Sequence, residues 1–136
     1  MKVRTMIRPN PGHPRLVLAA LALVPLHGFG QALDRTTLVE VDDDDRTAMY
    51  QDISVDQLED MSVERDGAII GEVEEVLANA NGEIVALVIE YGGNAIGIGD
   101  KEAIAPIETL RIRRDTNRVE TTMTDAELDA LTPWDD

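Results

Sequence analysis

Four consecutive aspartates, Asp42–Asp45, are the first candidate metal ligands in this 136-residue sequence. Carboxylate oxygens are the ligands that calcium prefers, which makes a calcium-binding loop the obvious comparison. A helix–loop–helix calcium loop that starts at Asp42 needs an oxygen ligand at its fifth position and glycine at its sixth, where Arg46 and Thr47 stand. The run is therefore interpreted as a solvated, self-repelling segment, and no metal site is predicted.

Gly97-Ile98-Gly99 is the second candidate, because closely spaced glycines can bring backbone N–H groups against a phosphate. The third glycine of a dinucleotide-binding fingerprint is missing, since Glu102 occupies its position. Pro106 ends the next apolar run, so no helix follows to receive the phosphate. The glycines are better explained as corners of a tightly curved sheet, and no cofactor is predicted.

Residues for nucleophilic catalysis are scarce. The chain has no cysteine, and its two histidines, His13 and His27, both precede residue 33. Neither a thiolate nucleophile nor a Ser-His-Asp arrangement can therefore form in the remainder of the chain. With 27 acidic residues, paired carboxylates arise by chance, so a carboxylate-based hydrolase is the least favoured function. No catalytic residue is predicted.

The charge of the chain is strongly acidic, with a formal value of −15. Residues 1–32 contain four of the 12 basic residues and none of the 27 acidic ones, which leaves 8 − 27 = −19 for residues 33–136. Such a charge opposes binding to nucleic acid and to anionic membranes. After residue 32, basic residues cluster in one place only, at Arg111, Arg113 and Arg114. We interpret them as solvated strand residues rather than as an anion site.

Residues 1–32 have the order of a secretory signal peptide. Basic residues end at Arg15, an apolar stretch covers Leu16–Leu26, and small residues precede a predicted cleavage between Ala32 and Leu33. Eleven apolar residues are too few to cross a bilayer as a helix, which takes about 20. We expect a periplasmic protein without a stable membrane anchor after cleavage, in which residues 33–52 form an acidic, flexible linker.

Residues 53–136 are predicted to form one domain of short strands joined by tight turns. The apolar run Ile84–Tyr91 is predicted to be a strand buried on both faces, with its outer face covered by a helix or another subunit. A change in the phase of apolar residues at Glu74-Glu75 indicates a β-bulge. The residues assigned to turns and corners are Asp66, Gly67, Gly71, Asn81, Gly82, Gly92, Gly93, Gly97, Gly99 and Pro106.

Short helices are predicted on either side of these strands. Ser54 is a candidate N-cap of the first, and a capping box at Thr124 starts the second, which we expect to cover Asp125–Leu131. Between them, a hairpin that turns at Thr116-Asn117 places Arg113 opposite Glu120. Trp134, the only tryptophan, is expected at a barrel mouth.

The order Gly92-Gly93, Gly97-Ile98-Gly99, Asp100-Lys101 and Ala103–Pro106 resembles the PRC-barrel family, over about residues 52–134. The resemblance implies an all-β fold: a small antiparallel β-barrel of five or six strands with short flanking helices. It also implies docking of protein partners rather than catalysis. We therefore expect a non-enzymatic exported module with a protein partner of unknown identity, and a homodimer is left open. The alternative is a calcium- or salt-responsive acidic envelope protein.

Overall fold

The computed structural model describes residues 33–92 and 101–135 of the chain. Ten strands and two helices make up the described part. The strands are β1 (Val39–Glu40), β2 (Met49–Tyr50), β3 (Ile53–Ser54), β4 (Ser62–Arg65), β5 (Ala68–Ala78), β6 (Ile84–Tyr91), β7 (Lys101–Pro106), β8 (Arg111–Arg113), β9 (Arg118–Glu120) and β10 (Thr132–Pro133). The helices are α1 (Val55–Glu59) and α2 (Asp125–Asp129), and 3-10 turns cover Arg35–Thr37 and Ile107–Thr109.

Eight strands form one sheet in the order β10-β7-β6-β5-β4-β9-β8, with β1 also paired to β5, while β2 and β3 pair separately. Six of the eight, β4 to β9, are at least three residues long, and β1 and β10 add two residues each. The predominance of strands confirms the all-β fold. One pair differs from the antiparallel expectation, because β4 and β9 run parallel. The chain passes from β7 into β8 through a 3-10 turn rather than a hairpin, so β9 returns in the direction of β4.

The long strand β5 bends where the sequence predicts. Its pairing with β6 shifts register between Val73 and Glu75, which confirms the bulge. The extra residue brings Val73 and Val76 to the same core, although an unbroken strand would place residues three apart on opposite faces. Glu74, between them, remains exposed.

Strand β6 is buried on both faces, as predicted. Leu87, Ile89 and Tyr91 face the main core, which also receives side chains from both helices. Ala86 and Val88 face the opposite side, where they form a second cluster with Leu77 and Ile104. Both clusters exclude water from apolar surface, so both contribute to the stability of the sheet.

The outer cluster is covered by the two ends of the described chain rather than by a helix or another subunit. Leu33, Leu38 and Trp134 pack on it. The hydroxyl of Thr132 donates a hydrogen bond to the Leu33 carbonyl at 3.1 Å, and the Val41 amide donates to the Val76 carbonyl at 2.9 Å. Residues 33–41, which belong to the predicted linker and which we call the N-terminal strap, thus contact the sheet. So short a segment shows no periodicity from which these contacts could be predicted.

The predicted turns at Asp66-Gly67 and Asn81-Gly82 are present. Asp66, Gly67 and Gly82 all have positive φ, at 52°, 81° and 78°. The Asn79 side chain accepts hydrogen bonds from the amides of Asn81 and Glu83 within the second turn. Gly92, at the end of β6, also has positive φ, 75°, and Pro106 ends β7 as expected.

Gly71 is not a turn residue, in contrast to its assignment from the sequence. It lies within β5 beside β6, and a Cβ atom there would lie 1.8 Å from the Glu90 carbonyl oxygen. Glycine is required because the two backbones approach too closely for a side chain. A strand glycine of this kind has no signature in sequence that separates it from a corner.

Two other placements differ from the prediction. The β8–β9 hairpin pairs Arg111 with Glu120, and its turn covers Arg114–Asn117 with Asn117 at a positive φ of 54°. The turn is wider than the predicted turn at Thr116-Asn117, so Glu120 pairs with Arg111 instead of Arg113, a difference of two residues in register. Trp134 lies on the outer cluster instead of at a barrel mouth, because β10 pairs with β7 and directs the chain along that face.

Both predicted helix starts are confirmed. Ser54 and Thr124 each accept a hydrogen bond from the backbone amide three residues on, and the side chains of Gln57 and Glu127 reach back to complete capping boxes. The second helix ends at Asp129, two residues earlier than expected. Among residues 33–92 and 101–135, no helix is long and apolar enough to cross a membrane.

Several predictions concern residues outside the described ranges. They are the signal peptide of residues 1–32 with Ala32 at its end, and the glycines Gly93, Gly97 and Gly99. Leu33, on the other side of the predicted cleavage point, is described and packs in the outer cluster.

Candidate interaction surfaces

Positive charge in the described chain is almost entirely paired. Six of its eight basic residues lie within 4.0 Å of a carboxylate: Arg35, Arg65, Lys101, Arg111, Arg113 and Arg118. The Arg113 guanidinium is held by Asp115 at 2.8 Å and by Glu120 at 3.2 Å, and the bond to Asp115 is the larger cause of its raised pKa. The arginines of β8 therefore offer little free positive charge to an anion.

Negative charge converges on a cleft between the strap, α1 and the bulge of β5, which we call the acidic cleft. It has a volume of about 480 Å³ and is lined by Glu40, Val41, Asp42, Asp43, Glu59, Glu74 and Glu75. The bulge places two consecutive glutamates at its rim, and the C-terminal end of α1 supplies Glu59. Six carboxyl groups thus share one concave surface.

Glu59 responds most clearly to this environment. Partial burial raises its pKa to about 7, and repulsion from Glu75, Asp43, Asp56 and Glu40 adds to the effect. Both causes disfavour the ionised carboxylate. With a pKa of about 7, Glu59 changes its protonation state near neutral pH, and it exchanges the proton with the solvent to which the cleft is open.

Two groups of carboxylates are close enough to share a cation. The carboxylate oxygens of Asp42, Asp43 and Asp44 lie within 4.8 Å of one another, as do those of Glu72, Glu74 and Glu90. All three aspartates are exposed, and Asp42 accepts a hydrogen bond from the Asp44 amide at 3.1 Å. The geometry is that of a polar turn, and exposed acidic groups of this kind are common without an ion.

A larger depression lies beside α2, and we call it the α2 depression. It measures about 670 Å³ and combines aromatic, apolar and charged side chains. Among its lining residues, Asp129 accepts hydrogen bonds from the Tyr91 hydroxyl at 3.0 Å and from Lys101 Nζ at 2.9 Å. Strand ends supply Tyr91 and Lys101, and α2 supplies Asp129.

Within the hydrogen-bonded group of Tyr91, Lys101 and Asp129, the pKa values of Asp129 and Tyr91 are shifted in opposite directions. The hydrogen bond from Lys101, followed by that from Tyr91, lowers the pKa of Asp129. Burial, together with the hydrogen bond to Asp129, raises the pKa of Tyr91 to about 12. At neutral pH the tyrosine is therefore a hydrogen-bond donor to a carboxylate, and it cannot act as a base.

Trp134 and Asp135, which line the depression, also contact Arg35 near the first described residues of the chain. The Arg35 guanidinium lies 4.5 Å from the centre of the Trp134 ring, and its Nη1 is 3.9 Å from Asp135 Oδ2. A cation over an indole face is attracted by the ring's electron density. Arg35 of the strap thus contacts the Trp134 ring through a cation–π interaction, and Leu33 and Leu38 of the strap pack on the same outer cluster as Trp134.

Sequence analysis missed both surfaces. Tyr91 and Lys101 are separated from Asp129 by 38 and 28 residues, and nothing in their local sequence links them. The predicted turn residues other than Gly71, by contrast, lie at separate strand ends where the structure describes them, and these described residues are not brought together in one site. The only local signal was that Lys101 is the sole lysine after residue 2.

Comparison with known families agrees with the fold. The profile of the PRC-barrel domain matches residues 51–128, more than half of the chain and most of the sheet. The chain belongs to the PRC-barrel domain family. The match contains β4 to β9 together with most of α2, whereas the strap and Trp134 lie outside it. No curated protein matched the chain.

Proposed function

We propose that this PRC-barrel protein is a non-enzymatic module that binds another protein in the periplasm. The packed interior is the observation that carries the proposal. Side chains such as Leu87, Ile89 and Val119 are completely buried and fill the space within the sheet. Binding is therefore assigned to the outer surface, where the acidic cleft and the α2 depression offer concave, charged contact areas.

The periplasmic location rests on residues 1–32, whose basic, apolar and small segments follow one another in the order of an export signal. Intact-mass measurement of the protein recovered from a periplasmic fraction tests it. The expected mass corresponds to a chain that begins at Leu33. Retention of residues 1–32 in cytoplasmic protein contradicts the location but leaves the binding function open.

The binding function is tested by affinity capture. The full-length chain is expressed, and the purified protein is immobilised and incubated with a periplasmic extract at about 0.15 M salt. We expect a partner to be retained at a defined ratio and to be released as the salt concentration rises. The matched control is an unrelated protein of similar size and charge. If the control retains the same proteins in the same amounts, binding reflects charge alone and the proposal is wrong.

A calcium-responsive role is the second candidate, favoured by the close carboxylates of Asp42, Asp43 and Asp44. We expect magnesium to raise the melting temperature as much as calcium does at equal ionic strength, because none of the described loops has the ligand spacing of a dedicated calcium site. A saturable calcium effect with a micromolar midpoint, lost in Asp43→Asn/Asp44→Asn and absent with magnesium, reverses the order of the two candidates.

A further inference from the structure

We propose that the N-terminal strap is a pH-dependent cover of the outer cluster, which lifts more often as the carboxylates between the strap and the domain lose their protons. The inference goes beyond the proposed binding function and does not depend on it. The side chains beneath the strap are at most 1% exposed, and they are Leu77, Ala86, Val88 and Ile104. The PRC-barrel match contains all four of them but not the strap that covers them.

The strap is held by few contacts. None of its nine residues is buried, in contrast to the cluster beneath it. Val39 and Glu40 pair with β5, and the Val41 amide adds a hydrogen bond of 2.9 Å to the Val76 carbonyl. Segments with so few buried contacts open locally at a small cost in free energy while the rest of the fold stays intact. The strap can therefore leave the cluster without unfolding of the sheet.

Carboxylates face one another where the strap ends. The acidic cleft is lined by six carboxyl groups, which divide evenly between the strap side and the domain side. Those of the strap and the two residues after it are Glu40, Asp42 and Asp43, and those of α1 and β5 are Glu59, Glu74 and Glu75. No basic residue is among the described residues that line this cleft. Ionised groups on the two sides repel one another, so their repulsion opposes closure of the strap.

Glu59 is the group through which pH acts on the strap. Burial raises its pKa to about 7, together with repulsion from Glu75, Asp43, Asp56 and Glu40. When the strap lifts, Asp43 and Glu40 move away and water enters the cleft, so the pKa of Glu59 falls toward its ordinary value of 4.5. The closed form therefore binds more protons between these two values, and closure weakens as the pH rises through that window.

Hydrogen exchange of the protein, purified after expression of its full-length chain, measures how often the strap lifts. The strap amides are compared at pH 5 and pH 8, after correction for the intrinsic exchange rate at each pH. We expect their protection to fall about tenfold, which corresponds to a pKa of Glu59 about one unit lower in the open form. The amides of β6 should exchange at least about a hundredfold more slowly than the strap at both pH values, since the sheet stays folded when the strap lifts.

Two variants assign the effect to the two sides of the cleft. Glu59→Gln, on the domain side, should leave the strap protection at pH 8 within about twofold of its value at pH 5. Glu40→Gln, on the strap side, should reduce the tenfold fall to about threefold, because it removes one of the charges that raise the pKa of Glu59. The control Glu83→Gln, at an exposed turn away from the cleft, should show the same fall as the parent.

The proposal is overturned if the strap and β6 exchange equally slowly at both pH values, because the strap then opens only when the whole domain unfolds. It is also overturned if the strap protection of the parent changes by less than about twofold between the two pH values. A tenfold fall that persists in Glu59→Gln, or that disappears in Glu83→Gln as well, overturns the role of the cleft and with it the proposal.

Discussion

Glu59 connects the ionisation of one side chain to the stability of the fold. Its folded pKa, about 7, lies above the 4.5 of an ordinary glutamate, because burial and neighbouring carboxylates disfavour the charge. The folded state therefore binds more protons than the unfolded state between these two values, and the free energy of unfolding falls as the pH rises through that window. Above pH 7 the Glu59 side chain is ionised in the folded state, and its repulsion with the neighbouring carboxylates acts in full.

Replacing Glu59 by glutamine removes this penalty. We expect Glu59→Gln to be more stable than the parent at pH 8 by about 1 to 2 kcal/mol, after allowance for solvent screening of a partly exposed group, and equal to it near pH 4, below both pKa values. Urea unfolding at the two pH values measures the difference. Glu83→Gln, at an exposed turn away from the cleft, is the control. Equal stabilisation by the two variants at pH 8 contradicts the assignment.

Gly71 is the other residue whose role depends on one contact. Alanine at this position places its Cβ 1.8 Å from the Glu90 carbonyl oxygen, so β5 and β6 must separate. We expect Gly71→Ala to lower the free energy of unfolding by about 3 kcal/mol or more. Gly82→Ala, where the added Cβ meets nothing within 4 Å but φ is 78°, should cost only about 1 kcal/mol. Similar losses for the two variants contradict the close approach.

At the scale of elements, β6 is the strand on which both clusters depend. Val88 is completely buried in the outer cluster, beneath the strap. Aspartate there places an unpaired charge among apolar side chains, which costs several kcal/mol, so we expect Val88→Asp to unfold the domain. Val39→Asp, on the strap but 60% exposed, should melt within a few degrees of the parent. A folded Val88→Asp protein, detected by circular dichroism, means that the outer cluster is not closed.

At the scale of the whole molecule, self-repulsion of −19 charges on residues 33–136 opposes folding. Salt screens this repulsion over a Debye length of about 8–10 Å, so NaCl should raise the melting temperature, most steeply below about 0.2 M. A variant with asparagine at all four positions Asp42–Asp45 should show a shallower dependence, because asparagine preserves the turn and removes the charge. A melting temperature independent of salt in both proteins contradicts this account.

Features that depend on neighbouring residues could be predicted from the sequence: the capped helices, the turns at Asp66-Gly67 and Asn81-Gly82, the bulge, and the burial of Ile84–Tyr91. Each arises from backbone preferences or side-chain periodicity within about ten residues, which a sequence displays directly. It also gave the family resemblance that the profile match confirms.

Contacts between residues far apart in the chain became visible only in the folded structure. The fold places the strap on the outer cluster and sets the register of the β8–β9 hairpin. It also brings Tyr91 and Lys101 to the carboxylate of Asp129. It also revealed that Gly71 is required by a neighbouring backbone. Such contacts depend on how the sheet curves and which strands it pairs. They combine residues that are far apart in the chain, and no local pattern encodes them.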